Sequence, residues 1–130
     1  MSKVIYEEDL EVKALPGRDL MWYFTPEMGL SDAFSMNVVK IRPGCTVSPA
    51  HSHPDKVEVI YVVSGAGKAY IDGKVYPIHE GTSVLFGKGA VHMLRNSGNE
   101  VMKVACFFAP QATFDDYRYH KDVVFPEDKQ

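Results

Sequence analysis

Cysteine is scarce: Cys45 and Cys106 are the only two, sixty-one positions apart. That excludes the closely spaced framework of a disulfide-stapled secreted domain and favours a reducing cytoplasm, with a bridge between the pair as the lesser alternative. Long apolar runs are missing as well. No stretch approaches the roughly 18 residues of a membrane span, and the acidic opening Met1-Ser2-Lys3-Val4-Ile5-Tyr6-Glu7-Glu8-Asp9 has no apolar core of the kind a signal peptide needs. Basic runs are absent too. None of the 14 Lys and Arg residues adjoins another, and 17 acidic residues leave a net charge of −3. Neither nucleic acid nor an anionic membrane is therefore an expected partner. Finally, no segment repeats its apolar residues at about 3.6-residue spacing over two or more turns, so long amphipathic helices are excluded.

What the chain does have is punctuation. Short β-rich runs recur about every ten residues, separated by Gly, Pro, Asn or Asp, which indicates an all-β sandwich or barrel. Leu20 to Phe24 follows the Pro16-Gly17 turn, with a loop expected over Glu27 to Ser31, and Phe34 to Ile41 stops at Pro43-Gly44. Glu58 to Val63 is the strongest strand. Lys68 to Ile71 and Lys74 to Ile78 flank Asp72-Gly73, a two-residue hairpin signal. Ser83 to Phe86, Val91 to Arg95 and Val101 to Phe108 follow, and Thr113 to Tyr119 is expected to form one helical turn or an arm. At 130 residues, with 45% hydrophobic and 24% charged, the chain suits one compact domain with a real core.

The chemistry concentrates in His51-Ser52-His53-Pro54-Asp55-Lys56-Val57-Glu58. In a strand, residues i and i+2 share a face, roughly 7 Å apart, so His51 and His53 can converge on one ion. Imidazole and carboxylate together suit Mn, Fe, Ni, Cu or Zn. Glu58 has the wrong parity for the same strand, but the Pro54-Asp55 turn resets the count. It heads a new strand whose inward positions are Ile60 and Val62, with Val59, Tyr61 and Val63 outward. A carboxylate at the head of an apolar strand is costly to bury unless paired or metal-bound.

With the glycines around them, these residues resemble the first signature of the cupin superfamily: Gly44, His51, His53, Glu58 and Gly65. The second signature is matched by Gly81, Gly87-Lys88-Gly89, His92 and Asn96. Two departures are visible, one extra residue between Gly44 and His51, and Gly87 where a proline is usual. The resemblance implies a single cupin (jelly-roll) domain over residues 1–130. Its core barrel is expected at about 34–108, with N-terminal strands in 1–33 and a C-terminal tail at 109–130. It also implies one divalent transition metal (Mn, Fe, Ni, Zn, Cu or Co) held by His51, His53, Glu58 and His92, a small carboxylated or sugar-derived substrate, and a homodimer to which Trp22 and Phe24 contribute. Lyase, isomerase or dioxygenase chemistry is implied, or else non-catalytic binding of a metal or small ligand.

The tail, Phe114-Asp115-Asp116-Tyr117-Arg118-Tyr119, looks like that of small cupin lyases that cleave dimethylsulfoniopropionate. Tyr119 stands at the place of a tyrosine near the metal, although those lyases tend to carry a second tyrosine where this chain has Ile60. Glu58 and Tyr119 are accordingly the candidate catalytic residues. His79 and His120 read as surface histidines, Asn96 as a turn residue, and Cys106 as core.

Overall fold

The computed structural model describes residues 2–28, 32–112 and 116–129. Eleven strands are present among them: β1 (Lys13–Leu15), β2 (Arg18–Phe24), β3 (Ser35–Ile41), β4 (Ala50–Ser52), β5 (Val57–Ser64), β6 (Ala66–Ile71), β7 (Lys74–His79), β8 (Ser83–Phe86), β9 (His92–Arg95), β10 (Met102–Ala109) and β11 (Arg118–His120). They form two antiparallel sheets, ordered β1-β2-β3-β10-β5-β8 and β11-β4-β9-β6-β7. Two facing antiparallel sheets of this kind meet the all-β expectation.

Alternation along β5 decides how the two sheets face each other. Glu58, Ile60 and Val62 are buried while Tyr61 and Val63 are exposed, the parity expected from the turn at Pro54-Asp55. Ile60 and Val62, both fully buried, meet Phe86, Leu94, Val104 and Phe108 in the central cluster; each buried aliphatic side chain contributes about 1.5–3 kcal/mol. The Asp72-Gly73 turn joins β6 to β7 with φ of +46° and +93°, the all-positive geometry that suits the right-handed twist of a two-residue hairpin.

The outer faces are covered by the ends of the chain. Leu10 packs with Tyr23 and Met36 on Met21, Val38 and Ala105. On the other sheet, Phe125 and Val123 lie over Ala50 and Met93. Arg95 sits over the Phe125 ring (4.3 Å) and bonds Glu127 and Asp128.

Two expectations are revised and a third is resolved. Of the two alternatives for the tail, helical turn or arm, the arm is found, and it is paired as a strand: Arg118–His120 pairs with β4, Tyr119 opposite His51, because the open edge of β4 offers unpaired backbone groups. Residues 113–115 of that expectation lie outside the described residues. Pro26–Met28 makes a 3-10 turn where loop began to be expected at Glu27, and 29–31 also lie outside. Trp22 is turned inward against Phe108, ring centroids 6.0 Å apart, so it is not a surface residue offered to a second copy. Both cysteines are free thiols.

Candidate metal centre and its cavity

His51 on β4 and His92 on β9 are directly opposite each other in the ladder, which brings their rings to 4.3 Å between centroids. His53 lies just past the end of β4, and its carbonyl accepts the Gly89 N–H at 2.9 Å. The glycine turn of the second motif thus fixes the last histidine of the first. Asn96 makes the other tie. Fully buried, it donates Nδ2–H to the Ile41 and Glu100 carbonyls (2.8 and 2.7 Å) and accepts from Gly98 N–H (2.9 Å). Its backbone N–H bonds Cys45 O, and its own carbonyl accepts from Gly44. Asn96 is a turn residue, as expected.

Glu58 arrives from the opposite sheet. His51, His53, Glu58 and His92 are all buried, with one ligand atom from each lying within 4.8 Å of all the others. Glu58 Oε1 is 3.0 Å from His92 Nε2 and 3.3 Å from His53 Nε2. The His92 tautomer follows from its other nitrogen. Nδ1 lies 2.9 Å from the Ala90 carbonyl, an acceptor only, so Nδ1 carries a hydrogen and Nε2 faces the carboxylate oxygen. Two acceptors that close need a cation or a proton between them. Both ring nitrogens of His53 are buried without a hydrogen-bond partner, a cost relieved by coordination.

The electrostatics agree with a ligand set. Burial, followed by the neighbouring His92, pushes His51 down to about 3, so its imidazole is neutral. Burial raises Glu58, but the ring nitrogens of His53 and His92 beside it more than compensate and hold it below the usual carboxylate range. These are the protonation states that bind metal. The donor set, three imidazoles and one carboxylate, fits a divalent transition ion.

His51, Glu58 and His92 line a cavity of about 450 Å³, within the size range of small-molecule sites. Its wall is mostly apolar, with Leu20, Val39, Phe86, Leu94 and Phe108; Phe86 stacks on His92 at 3.9 Å. Two tyrosines reach it from the tail. The Tyr117 ring stacks on His51 (5.1 Å) and meets His53 edge-on (4.5 Å). Tyr119 stacks on Tyr117 at 6.1 Å and is 59% exposed. Burial, and after it the Glu58 charge, raises Tyr117 well above an ordinary phenol, so its hydroxyl keeps its proton. Cys106 is also in the wall, its thiol raised by burial and by Glu58.

A family model for the cupin domain matches residues 37–108, the span that contains all four ligands. The chain belongs to the cupin family. Among curated cupin relatives, it is 29% identical over 111 residues to the polyketide synthase CurC of Streptomyces cyaneus, covering 85% of this chain and 71% of that one. It is 34% identical over 82 residues to the L-ectoine synthase of Saccharophagus degradans, covering 62% of this chain and 59% of the relative. The fold is shared with a solved structure of Streptomyces Pac13 with uridine, at a TM-score of 0.75, 19% identity and 92% coverage of both chains; Pac13 is described as a nucleoside dehydratase.

The cupin motifs thus find the four buried groups, and the structure brings them together. Sequence reasoning did not single out Arg18, Asn37 or Lys121, all of which line the cavity. Arg18 falls in the Pro-Gly turn when read locally; the signal was its parity with Leu20 and Trp22. Outside the site, His79 is exposed, as expected. His120 differs from the solvated expectation: it is half-buried, with Nε2 2.9 Å from Ser52 Oγ, because β11 docks on β4.

Proposed function

We propose that this cupin holds one divalent transition metal (Mn, Fe, Ni, Zn, Cu or Co) through His51, His53, Glu58 and His92 and is an enzyme acting on a small carboxylated or sugar-derived molecule, by lyase, isomerase or dioxygenase chemistry. The observation that carries it is the buried four-ligand cluster, with orphaned His53 nitrogens, of which His51, Glu58 and His92 line a 450 Å³ cavity. When bound, such an ion supplies Lewis-acid polarisation of a substrate oxygen. The chain's own groups do the rest. His51, His53 and His92 bring ring nitrogens toward the centre, and the apolar wall excludes water. The protonated Tyr117 phenol beside His51 is a proton donor, Glu58 is the acceptor, and Tyr119 at the mouth closes over the substrate. Relatives named as synthases, and Pac13, named as a dehydratase, support an enzymatic reading.

One observation favours a second reading, a non-catalytic metal or small-ligand binding protein or sensor: beyond the ligands and tyrosines the wall offers few acid–base groups. Metal analysis of purified protein, followed by oxygen-uptake and turnover assays on carboxylates and sugar acids with Fe, Mn, Ni and Zn, separates the two. Turnover with at least one ion is expected. Tight binding of one compound with silence across the panel would favour the sensor, and failure to take up any of the four ions would sink the metal in either reading.

We further infer a homodimer in a reducing cytoplasm. Free Cys45 and Cys106 support the compartment. The outer face of β5, β8 and β10, where Tyr61, Leu85 and Phe107 are exposed, supports the dimer. Sedimentation should give twice the 14.5 kDa chain mass, and Leu85→Lys should shift it toward the monomer; a wild-type monomer would overturn this.

A further inference from the structure

Beyond the four ligands, the cavity wall carries two cations and no carboxylate. Arg18 and Lys121 both line it, and Glu58 is the one acid among the lining residues. Since the whole chain is net negative at −3, average composition does not explain this. Two of the other three arginines sharpen the contrast. Arg42 reaches Asp19 at 3.5 Å, and Arg95 is clamped by Glu127 and Asp128. Arg18 instead donates Nη1–H to the carbonyl of its near neighbour Pro16 (2.9 Å), with no carboxylate in ion-pair reach among the described residues. It shares the inward face of β2 with Leu20 and Trp22. A half-buried guanidinium bonded to one backbone carbonyl and to no acid keeps N–H donors for an anion, and its planar fork suits a carboxylate.

Asn37 supplies an independent second observation. It lines the same cavity, is 2% exposed, and its Oδ1 has no hydrogen-bond partner. An unsatisfied buried acceptor calls for a donor, a hydroxyl or N–H. Asn37 pairs with Trp22, four residues after Arg18, so the two groups lie about 13 Å apart along extended strand. Asn37 marks the inner end of the wall and Arg18, with exposed Lys121, the outer end. Leu20, Val39 and Leu94 also face this cavity.

We propose that Arg18, assisted by Lys121, anchors a ligand carboxylate while Asn37 Oδ1 accepts from a ligand hydroxyl, so that the cavity takes a hydroxylated carboxylic acid with an apolar body. The inference rests on the metal-dependent reading above for the other end of the ligand.

The test uses zinc-loaded protein and 3,4-dihydroxyphenylpropionate, whose catechol suits the metal end and whose carboxylate suits Arg18, against its methyl ester. Calorimetric titration of the wild type is expected to give at least about tenfold tighter binding of the acid, the worth of one charge-assisted pair. Arg18→Gln should bring the acid down to the level of the ester and leave the ester unchanged. Lys121→Gln, on an exposed side chain, should cost the acid about threefold and keeps the question open to test if Arg18→Gln does not fold. Equal affinity of acid and ester for the wild type, parallel losses of both in Arg18→Gln, or no detectable binding of either would overturn the anchor. Zinc content measured on the same samples separates the two readings. Preference for the acid without bound zinc supports the anchor and removes the metal, whereas zinc without preference removes the anchor alone.

Discussion

His92→Ala is expected to abolish metal retention: after dialysis against metal-free buffer the wild type keeps close to one equivalent of zinc, the variant less than about 0.1. The expectation comes from how much of the centre His92 organises. It sits opposite His51 in the β4–β9 ladder, its ring is locked between Phe86 and the Ala90 carbonyl, and its Nε2 is the nearest histidine nitrogen to Glu58, at 3.0 Å. Truncation removes a ligand and also leaves a buried carboxylate facing His53 alone. Breaking a buried pair of this kind costs about 3 kcal/mol. Metal-free His92→Ala should therefore unfold at lower temperature than metal-free wild type while keeping a β-rich circular dichroism spectrum. Added zinc should raise the midpoint of the wild type, since a ligand that binds only the folded state stabilises it, and leave the variant unmoved. A folded His92→Ala that retains a full equivalent would remove this histidine from the centre, and with it the ligand set proposed here.

How much of this was legible in the chain depends on how local each cause is. The inward run Glu58, Ile60, Val62 is a period-two pattern inside one strand, and the turn that resets it, Pro54-Asp55, is adjacent; both are readable without a fold. The same holds for Asp72-Gly73. Tyr117 is different. Nothing within five residues of it says that β11 will pair with β4, so whether Tyr117 or Tyr119 meets the histidines depends on that docking. Parity does not separate the two, since i and i+2 share a face; the structure puts the Tyr117 ring on His51 and His53. Tyr119, the tyrosine favoured by resemblance, sits further out. Arg18 was hidden by the turn before it, although its alternation with Leu20 and Trp22 already placed it on the inner face. Trp22 shows the opposite error. A large aromatic near the N-terminus reads as free surface until Phe108, eighty-six positions later, is brought against it. Pairings that close long loops carry no local trace.

Gly67 is the strongest case of that non-local kind, and its substitution by alanine is expected to cost at least about 3 kcal/mol or to prevent folding altogether. The residue belongs to neither glycine-framed motif and lies inside β6, where glycine by itself weakens a strand. Its φ is not in the left-handed region, so a backbone requirement does not explain it. Space does. A Cβ built at Gly67 falls 2.0 Å from the Arg95 carbonyl oxygen and 3.1 Å from Met102 Sδ. The methionine can swing aside; the carbonyl cannot, because it belongs to β9, the strand that carries His92. Lys68 to Ile71 pair with Arg95 to His92 in register, so pushing β6 away from Arg95 pulls on the ladder that sets the His92 ring. Chemical denaturation of Gly67→Ala should show a lowered midpoint, and where the variant still folds, its zinc affinity should fall although no ligand has changed. Gly73→Ala is the control: with nothing within 4 Å of its Cβ but φ at +93°, it should cost about 1 kcal/mol from backbone strain alone and leave zinc binding as in the wild type. Equal stability losses in the two variants, or unchanged zinc affinity in a folded but destabilised Gly67→Ala, would break the link drawn here between the β6–β9 contact and the metal centre.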